Sequence, residues 1–85
     1  MKNAKVILDE MERTVKNCDY YRGKNNMVHF VNEAGSLRGM MYLADILGVQ
    51  YPLQKYYNQY ILPAYQYMTE NDPIRIQLNR PESEE

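Results

Sequence analysis

The sequence contains one cysteine, one histidine, one phenylalanine and no tryptophan, and it lacks a long uninterrupted apolar run. A lone cysteine cannot form an internal disulfide, and a lone histidine leaves no cluster of ligands at metal-binding spacing. Without an apolar stretch of about 20 residues or a signal-peptide core, we expect no membrane span. The expected setting is a reducing, intracellular one, the cytoplasm, with no metal ion and no cofactor.

Groups that carry catalysis are also scarce. We find no paired carboxylates, no cluster of histidine, cysteine and aspartate, and no Gly-rich phosphate loop. His29 lies on the polar side of a predicted helix, where a solvated imidazole is the simpler interpretation. Cys18 lies in line with apolar positions and is interpreted as a small core residue. The sequence therefore predicts a protein that is not an enzyme.

Tyrosine is the residue in excess, with nine tyrosines against one phenylalanine. Tyrosine suits surfaces that are half buried and half hydrated, which favours either the rim of a small core or a binding surface. A chain of this length buries only roughly 60–65% of its unfolded surface, so self-association would add to a thin core. We expect a single helical domain over residues 1–80 and a disordered acidic tail over 81–85.

Apolar spacing predicts an all-α fold with three main helices. Apolar residues recur every third or fourth position over about residues 4–21, 27–47 and 52–70. Pro63 lies inside the third segment and removes a backbone donor, so we expect a kink or a split there. Isoleucine and leucine then alternate with polar residues, which predicts a short C-terminal extended segment over 74–78.

The second predicted helix carries apolar side chains on two faces, about 130° apart. The first stripe comprises Phe30, Ala34, Leu37, Met41 and Ala44. The second stripe comprises Val28, Val31, Gly35, Tyr42 and Ile46. A helix of this kind is expected to be covered by several neighbours. Gly35 and Gly39 each cost about 0.5–1 kcal/mol in a helix interior, which predicts close approach of another backbone from the first helix, the third helix or a second subunit.

These features predict a homodimer. A lone extended segment cannot satisfy its own backbone groups, and a two-fold axis would supply a second strand from its copy. Docking on its own helices and addition to a partner's sheet are the alternatives. The predicted self-association residues are Gly35, Gly39, Tyr42, Ile46, Ile74, Ile76 and Leu78.

The connection between the first two helices is the group of polar residues best suited to bind an anion or a partner. Arg22 and Lys24, with free N–H groups at the start of the second helix, would hold an anion beside aromatic rings. Local turn chemistry explains the same stretch, with Gly23 taking a positive φ and Asn26 capping the next helix. The predicted anion- or partner-binding residues are Tyr20, Tyr21, Arg22, Lys24, Asn25 and Asn26.

The end of the second helix offers a different function. Over residues 43–49, Ala44 is followed four positions later by Gly48 and then by the apolar Val49. This pattern resembles the first helix and turn of helix-turn-helix DNA-binding domains, although Pro52 then falls inside the would-be recognition helix. The resemblance implies that a set of five residues would contact bases and phosphates, and that Lys55 would be the one positive charge among them. That set is Gln50, Tyr51, Gln54, Lys55 and Asn58.

The sequence thus predicts a small interaction protein that binds another macromolecule through a Tyr-rich surface. A regulator or inhibitor from a phage or mobile element is the hypothesis that the composition favours. A helix-turn-helix-like transcriptional regulator is the alternative. The expected partners are a second copy and an unidentified protein; nucleic acid is less favoured, and a membrane is not expected.

Overall fold

The computed structural model describes residues 2–71, which form an all-α fold of three helices, as predicted. The third helix consists of two α-helical parts joined by one π-helical turn. The elements are α1 (Lys2–Gly23), α2 (Met27–Leu47), α3 (Leu53–Tyr56), the π turn (Tyr57–Ile61) and α4 (Leu62–Asn71). No strand occurs among residues 2–71, and the predicted segment 74–78 and tail 81–85 lie outside the described residues.

Each helix runs antiparallel to the one before it. Asn17 in the second half of α1 donates a hydrogen bond of 3.2 Å to Glu33 in the first half of α2. At the other side of α2, Val28 and Asn71 line the same hollow, so the start of α2 lies beside the end of α4. The third helix therefore returns along α2 instead of crossing it.

The core is built on the first of the two α2 stripes. All five of its residues are buried, from Phe30 to Ala44. Burying a side chain such as Phe30 or Leu37 contributes about 1.5–3 kcal/mol, so this stripe supplies a large part of the stability. The core residues from the other helices are Ile7, Met11, Cys18, Tyr56, Tyr60, Ile61 and Ala64, with Val49 from the connection.

Within residues 2–71 the second α2 stripe is largely exposed and only Val31 is partly buried, so the expected cover of α2 by several neighbours is not provided by α1 and the third helix. Val28, Tyr42 and Ile46 are 68%, 62% and 62% exposed. No atom of α1 or the third helix lies within 4 Å of where a Cβ on Gly35 or Gly39 would be. Both neighbours pack on the side of α2 that holds the first stripe. Close approach of another backbone to these glycines was predicted from the first helix, the third helix or a second subunit. The first two do not provide it within residues 2–71, and the second subunit remains a prediction.

The end of α2 is a Schellman motif. Gly48 has φ 71° and ψ 24°, a left-handed conformation that glycine adopts without steric cost. Its N–H donates to the carbonyl of Asp45 at 3.2 Å, and the N–H of Val49 donates to the carbonyl of Ala44 at 2.8 Å. These bonds satisfy two carbonyls at the helix end, and Val49 packs into the core.

The end of α1 is the same motif with asparagine in place of glycine. The predicted positive φ at Gly23 is wrong, because Gly23 is the last residue of α1 and Asn25 has φ 57°. The N–H of Asn25 donates to the carbonyl of Arg22 at 3.0 Å, and that of Asn26 to Tyr21 at 2.8 Å. Asparagine tolerates the left-handed region better than most residues with a side chain, so α1 includes Gly23 and the chain turns at Asn25.

Pro63 interrupts the third helix, as predicted. It has no N–H to donate to the carbonyl four residues earlier. The chain accommodates it by a π turn immediately upstream, in which the N–H of Leu62 donates to the carbonyl of Tyr57. Pro52 lies at the N-cap, so the helix begins at Leu53, one residue later than predicted, and the Pro52 carbonyl accepts from the N–H of Tyr56 at 3.0 Å.

Candidate functional site

The exposed second stripe of α2 is the most prominent uncovered apolar surface within residues 2–71. We call it the α2 stripe and include Gly39, which lies on the same face. Its members are Val28, Val31, Gly35, Gly39, Tyr42 and Ile46. Large apolar side chains scattered singly on a surface are ordinary, but a contiguous row of them marks an interaction site.

An apolar groove between α2 and α4 adjoins this stripe. It has a volume of about 190 Å³, and small residues, Ala34, Gly35 and Ala64, form its floor. A second hollow of about 190 Å³ continues the groove toward the start of α2 and the end of α4. The two hollows share Val31 and Met68, so together they form one channel along the helix pair.

A further row of exposed apolar residues lies along the third helix. It comprises Leu53, Tyr57, Leu62 and Tyr65, of which Tyr65 also lines the groove. Their spacings of four, five and three residues do not fit one α-helical face. The π turn takes up the extra residue between Tyr57 and Leu62, so sequence periodicity could not reveal the row.

Arg22, predicted to bind an anion or partner, is engaged within the chain. Its Nη1 donates a 2.7 Å hydrogen bond to the backbone carbonyl of Gln59. Its guanidinium carbon lies 4.8 Å from the ring centre of Phe30 and 5.2 Å from that of Tyr60. Its Nη2 lies 3.7 Å from a carboxylate oxygen of Asp19. The guanidinium is therefore held between α1, α2 and the π turn.

Pro63 explains why Arg22 is bound at this place. Because proline lacks an N–H, the carbonyl of Gln59 loses its usual helical donor, and Arg22 supplies one. Beside it, the hydroxyl of Tyr60 donates to Asp19 at 2.9 Å. Burial, and then this hydrogen bond, raise the pKa of Tyr60 to about 12. The two contacts fasten the end of α1 to the π turn. The sequence signal that was missed is the position of proline four residues after Gln59.

The other residues of the predicted loop site lie close together on the surface. The Nζ of Lys24 lies 5.7 Å from the ring centre of Tyr20, and the Tyr20 and Tyr21 rings meet edge to face at 5.3 Å. Tyr21 stacks on His29 at 5.0 Å. The side chain of Asn26 accepts from the N–H of His29 at 3.3 Å, which confirms it as the cap of α2. With Arg22 turned inward and Asn25 forming the turn, Lys24 would provide the cationic charge for an anion, and that binding stays a prediction.

The residues of the DNA-binding alternative lie around the α2–α3 connection. The hydroxyl of Tyr51 donates to Asp45 at 2.9 Å, and burial followed by this bond raises its pKa to about 12. Gln54 donates to Asn58 at 3.4 Å, while Gln50 and Lys55 are exposed. The neighbouring hollow, of about 420 Å³, contains the Asp45 carboxylate, which would repel a phosphate.

The helix arrangement also differs from that of helix-turn-helix domains. In those domains the two helices meet at roughly 90–120°. Here the third helix runs back along α2, because Tyr51 lies near the end of α2 and Asn71 lies near the start of α2. The resemblance therefore covers the turn and does not extend to the helix that follows it.

No protein-family model, curated protein or solved structure matches this chain. None of the helices in residues 2–71 is long and apolar enough to cross a membrane. In the same part of the chain, no group of three histidine, cysteine, aspartate or glutamate side chains is placed to hold a metal ion.

Proposed function

We propose that this is a non-enzymatic interaction protein that binds another protein chain on the α2 stripe and the adjoining groove. The observation that carries the proposal is the exposure of Val28, Tyr42 and Ile46 on one face of a helix whose other apolar face is buried. Val28 and Ile46 are eighteen residues apart, or about 27 Å along the helix. A surface of that length suits a partner helix.

The shape of the groove supports a helical occupant. Three of its lining residues are alanine or glycine, which leaves room for the side chains of a docked helix to enter between α2 and α4. Recognition of this kind places one apolar face of a helix in a groove and uses shape more than charge. A protein acting this way would regulate or inhibit its target by covering a surface, and we assign it to the cytoplasm.

Charge favours a protein partner over nucleic acid. Arg38 is the charged residue that lines the groove, and no member of the α2 stripe carries a charge. On α1, Lys5 and Arg13 are paired with acidic neighbours. Binding to a phosphate backbone depends on several cations that neutralise phosphates together, and this surface offers one.

The burial of Cys18 supports a function that does not use this thiol as a nucleophile. Cys18 is fully buried, and burial is the main cause that raises its pKa to about 12. The thiol is therefore protonated at neutral pH, whereas a reactive cysteine needs the thiolate and access to solvent.

Matched variants test the proposal. The baits for the host lysate would be the full-length protein and two variants, Ile46→Glu and Asn58→Glu. Both variants add one negative charge, but only Ile46→Glu adds it on the α2 stripe, so Asn58→Glu is the control. We expect proteins that bind the wild type and Asn58→Glu and are lost with Ile46→Glu. Identical capture by all three baits, together with unchanged self-association of Ile46→Glu, would overturn the proposal.

Duplex DNA of random sequence is the second probe, measured by fluorescence anisotropy over a salt series. We expect no binding. Binding that weakens steeply with salt and is lost in Asn58→Glu would instead support the transcriptional regulator.

A further inference from the structure

We infer that the chain occupying the α2 stripe is a second copy of this protein, packed antiparallel to the first about a two-fold axis. The inference rests on the proposed function, since it names the partner of the same surface. Its basis is that two pairs of similar residues on the exposed face of α2, Val28 with Ile46 and Gly35 with Gly39, lie at equal distances on both sides of its midpoint.

Leu37 is the midpoint of α2 (Met27–Leu47), and its side chain is fully buried. Val28 and Ile46 lie nine residues before and after it. Nine residues make about two and a half helical turns, so both side chains project directly opposite Leu37. Each is a β-branched apolar residue more than 60% exposed.

The two glycines obey the same symmetry. Gly35 and Gly39 lie two residues before and after Leu37. Each therefore projects within about 20° of the direction opposite Leu37. The centre of the exposed face is thus free of side chains, and no atom outside α2 fills it in the described part of the chain.

A two-fold axis at the midpoint brings these positions together. It places Val28 of one copy at the height of Ile46 of the other, and Gly35 at the height of Gly39. The side-chain-free centre lets the two backbones approach closely where the helices cross. Interfaces of this kind are self-complementary, because each contact occurs twice.

Val31 and Tyr42 complete the match. They lie on the same flank of the face, six residues before and five residues after Leu37. In the antiparallel pair, the Tyr42 ring of one copy then lies beside Val31 of the other. Arg38 projects about 80° from the centre of the face, so its guanidinium stays in water at the rim. An unrelated partner would impose no mirror relation on the residues of α2.

The size of the contact predicts a weak dimer. With side chains, α2 is about 31 Å long and 10 Å wide. Two such faces present about 600 Å² together, which is below the area of stable specific interfaces and fits a weak contact. We therefore expect a dissociation constant on the order of micromolar.

Sedimentation of the full-length chain is the first test. At about 50 µM, well above a micromolar constant, we expect a mass near twice 10.1 kDa. Ile46→Glu should sediment as a monomer, and Asn58→Glu as a dimer. Circular dichroism would show that both variants keep their helices.

Disulfide cross-linking tests the register. In the antiparallel pair, residue 28 of one copy meets residue 46 of the other, whereas the two copies of residue 28 are about 27 Å apart. We expect a cross-linked dimer only when Val28→Cys and Ile46→Cys chains are mixed. The buried Cys18 should give no background.

The two proposals fail in different ways. A monomeric full-length chain with no cross-link in the mixture overturns the second copy, and cross-linking of Val28→Cys with itself overturns the antiparallel register. The proposed function still stands in either case if Ile46→Glu loses a captured protein that Asn58→Glu retains.

Discussion

Arg22 donates a 2.7 Å hydrogen bond to the backbone carbonyl of Gln59, which lies 37 residues further along the chain. The same guanidinium lies over the rings of Phe30 and Tyr60. It therefore joins all three helices at the place where Pro63 has removed a backbone donor.

Replacing Arg22 should destabilise the fold. The Arg22 side chain is about one-third exposed, so we expect Arg22→Ala to lower the free energy of unfolding by about 1–2 kcal/mol through the lost hydrogen bond and ring contacts. Urea denaturation measures this change. Lys24→Ala removes a nearby exposed cation and should change the value by less than about 0.5 kcal/mol. Equal effects of the two substitutions would show that the inward position of Arg22 has no energetic weight.

The effect of Arg22 should depend on Pro63. Pro63→Ala restores an N–H that can donate to the carbonyl of Gln59, so this carbonyl then depends less on Arg22. A double-mutant cycle should give a coupling of about 0.5–1 kcal/mol, with Arg22→Ala less costly in the Pro63→Ala background. Additive effects would mean that the proline and the arginine act independently.

Gly39 should affect assembly and monomer stability in opposite directions. No other side chain or backbone of residues 2–71 lies near its Cβ position, so Gly39→Ala should raise the stability of the dilute monomer by up to about 1 kcal/mol through helix propensity. Gly39→Leu should shift the protein toward monomer at high concentration, because the larger side chain keeps two α2 helices apart. Thermal melts at low concentration and sedimentation at high concentration measure the two effects. Ser36→Leu, off the centre of the face, should leave the mass unchanged.

Stability should fall at alkaline pH. The pKa of Tyr60 is raised from 10.0 to about 12 in the folded chain, first by burial and then by its bond to Asp19. Below the unfolded pKa both states keep the proton, so the full stability is present. As the pH rises past that value, the unfolded state loses its proton first, and stability falls until the folded pKa is reached. Urea denaturation from about pH 8 to pH 11 should show a shallower decline in Tyr60→Phe than in the wild type. If the stability of Tyr60→Phe and of the wild type falls equally with pH, other groups cause the alkaline loss of stability.

Features set by nearby residues could be predicted from the sequence. The buried stripe from Phe30 to Ala44 follows from apolar spacing alone, and Asn26 and Gly48 act as caps through bonds to residues within a few positions. The end of α1 was harder, because Gly23 and Asn25 can both take the turn position, and the choice depends on how far the helix is stabilised by packing.

Features set by the tertiary arrangement could not be predicted in this way. Apolar spacing shows that Val28 and Ile46 share a face, but it does not show whether a neighbour covers that face. In the same way, Arg22 appeared to be free for a ligand because its acceptor, Gln59, becomes its neighbour only after the third helix has folded back.

The π turn also fixes the tolerance of this chain to changes in length. Losing one residue between Tyr57 and Ile61 would let an ordinary α-helical turn form there, but it would rotate everything downstream by about 100°. Ala64 would then leave the floor of the groove, and Tyr65 would leave its wall. Chains that keep this groove should therefore keep the number of residues in the turn, even where the side chains within it vary.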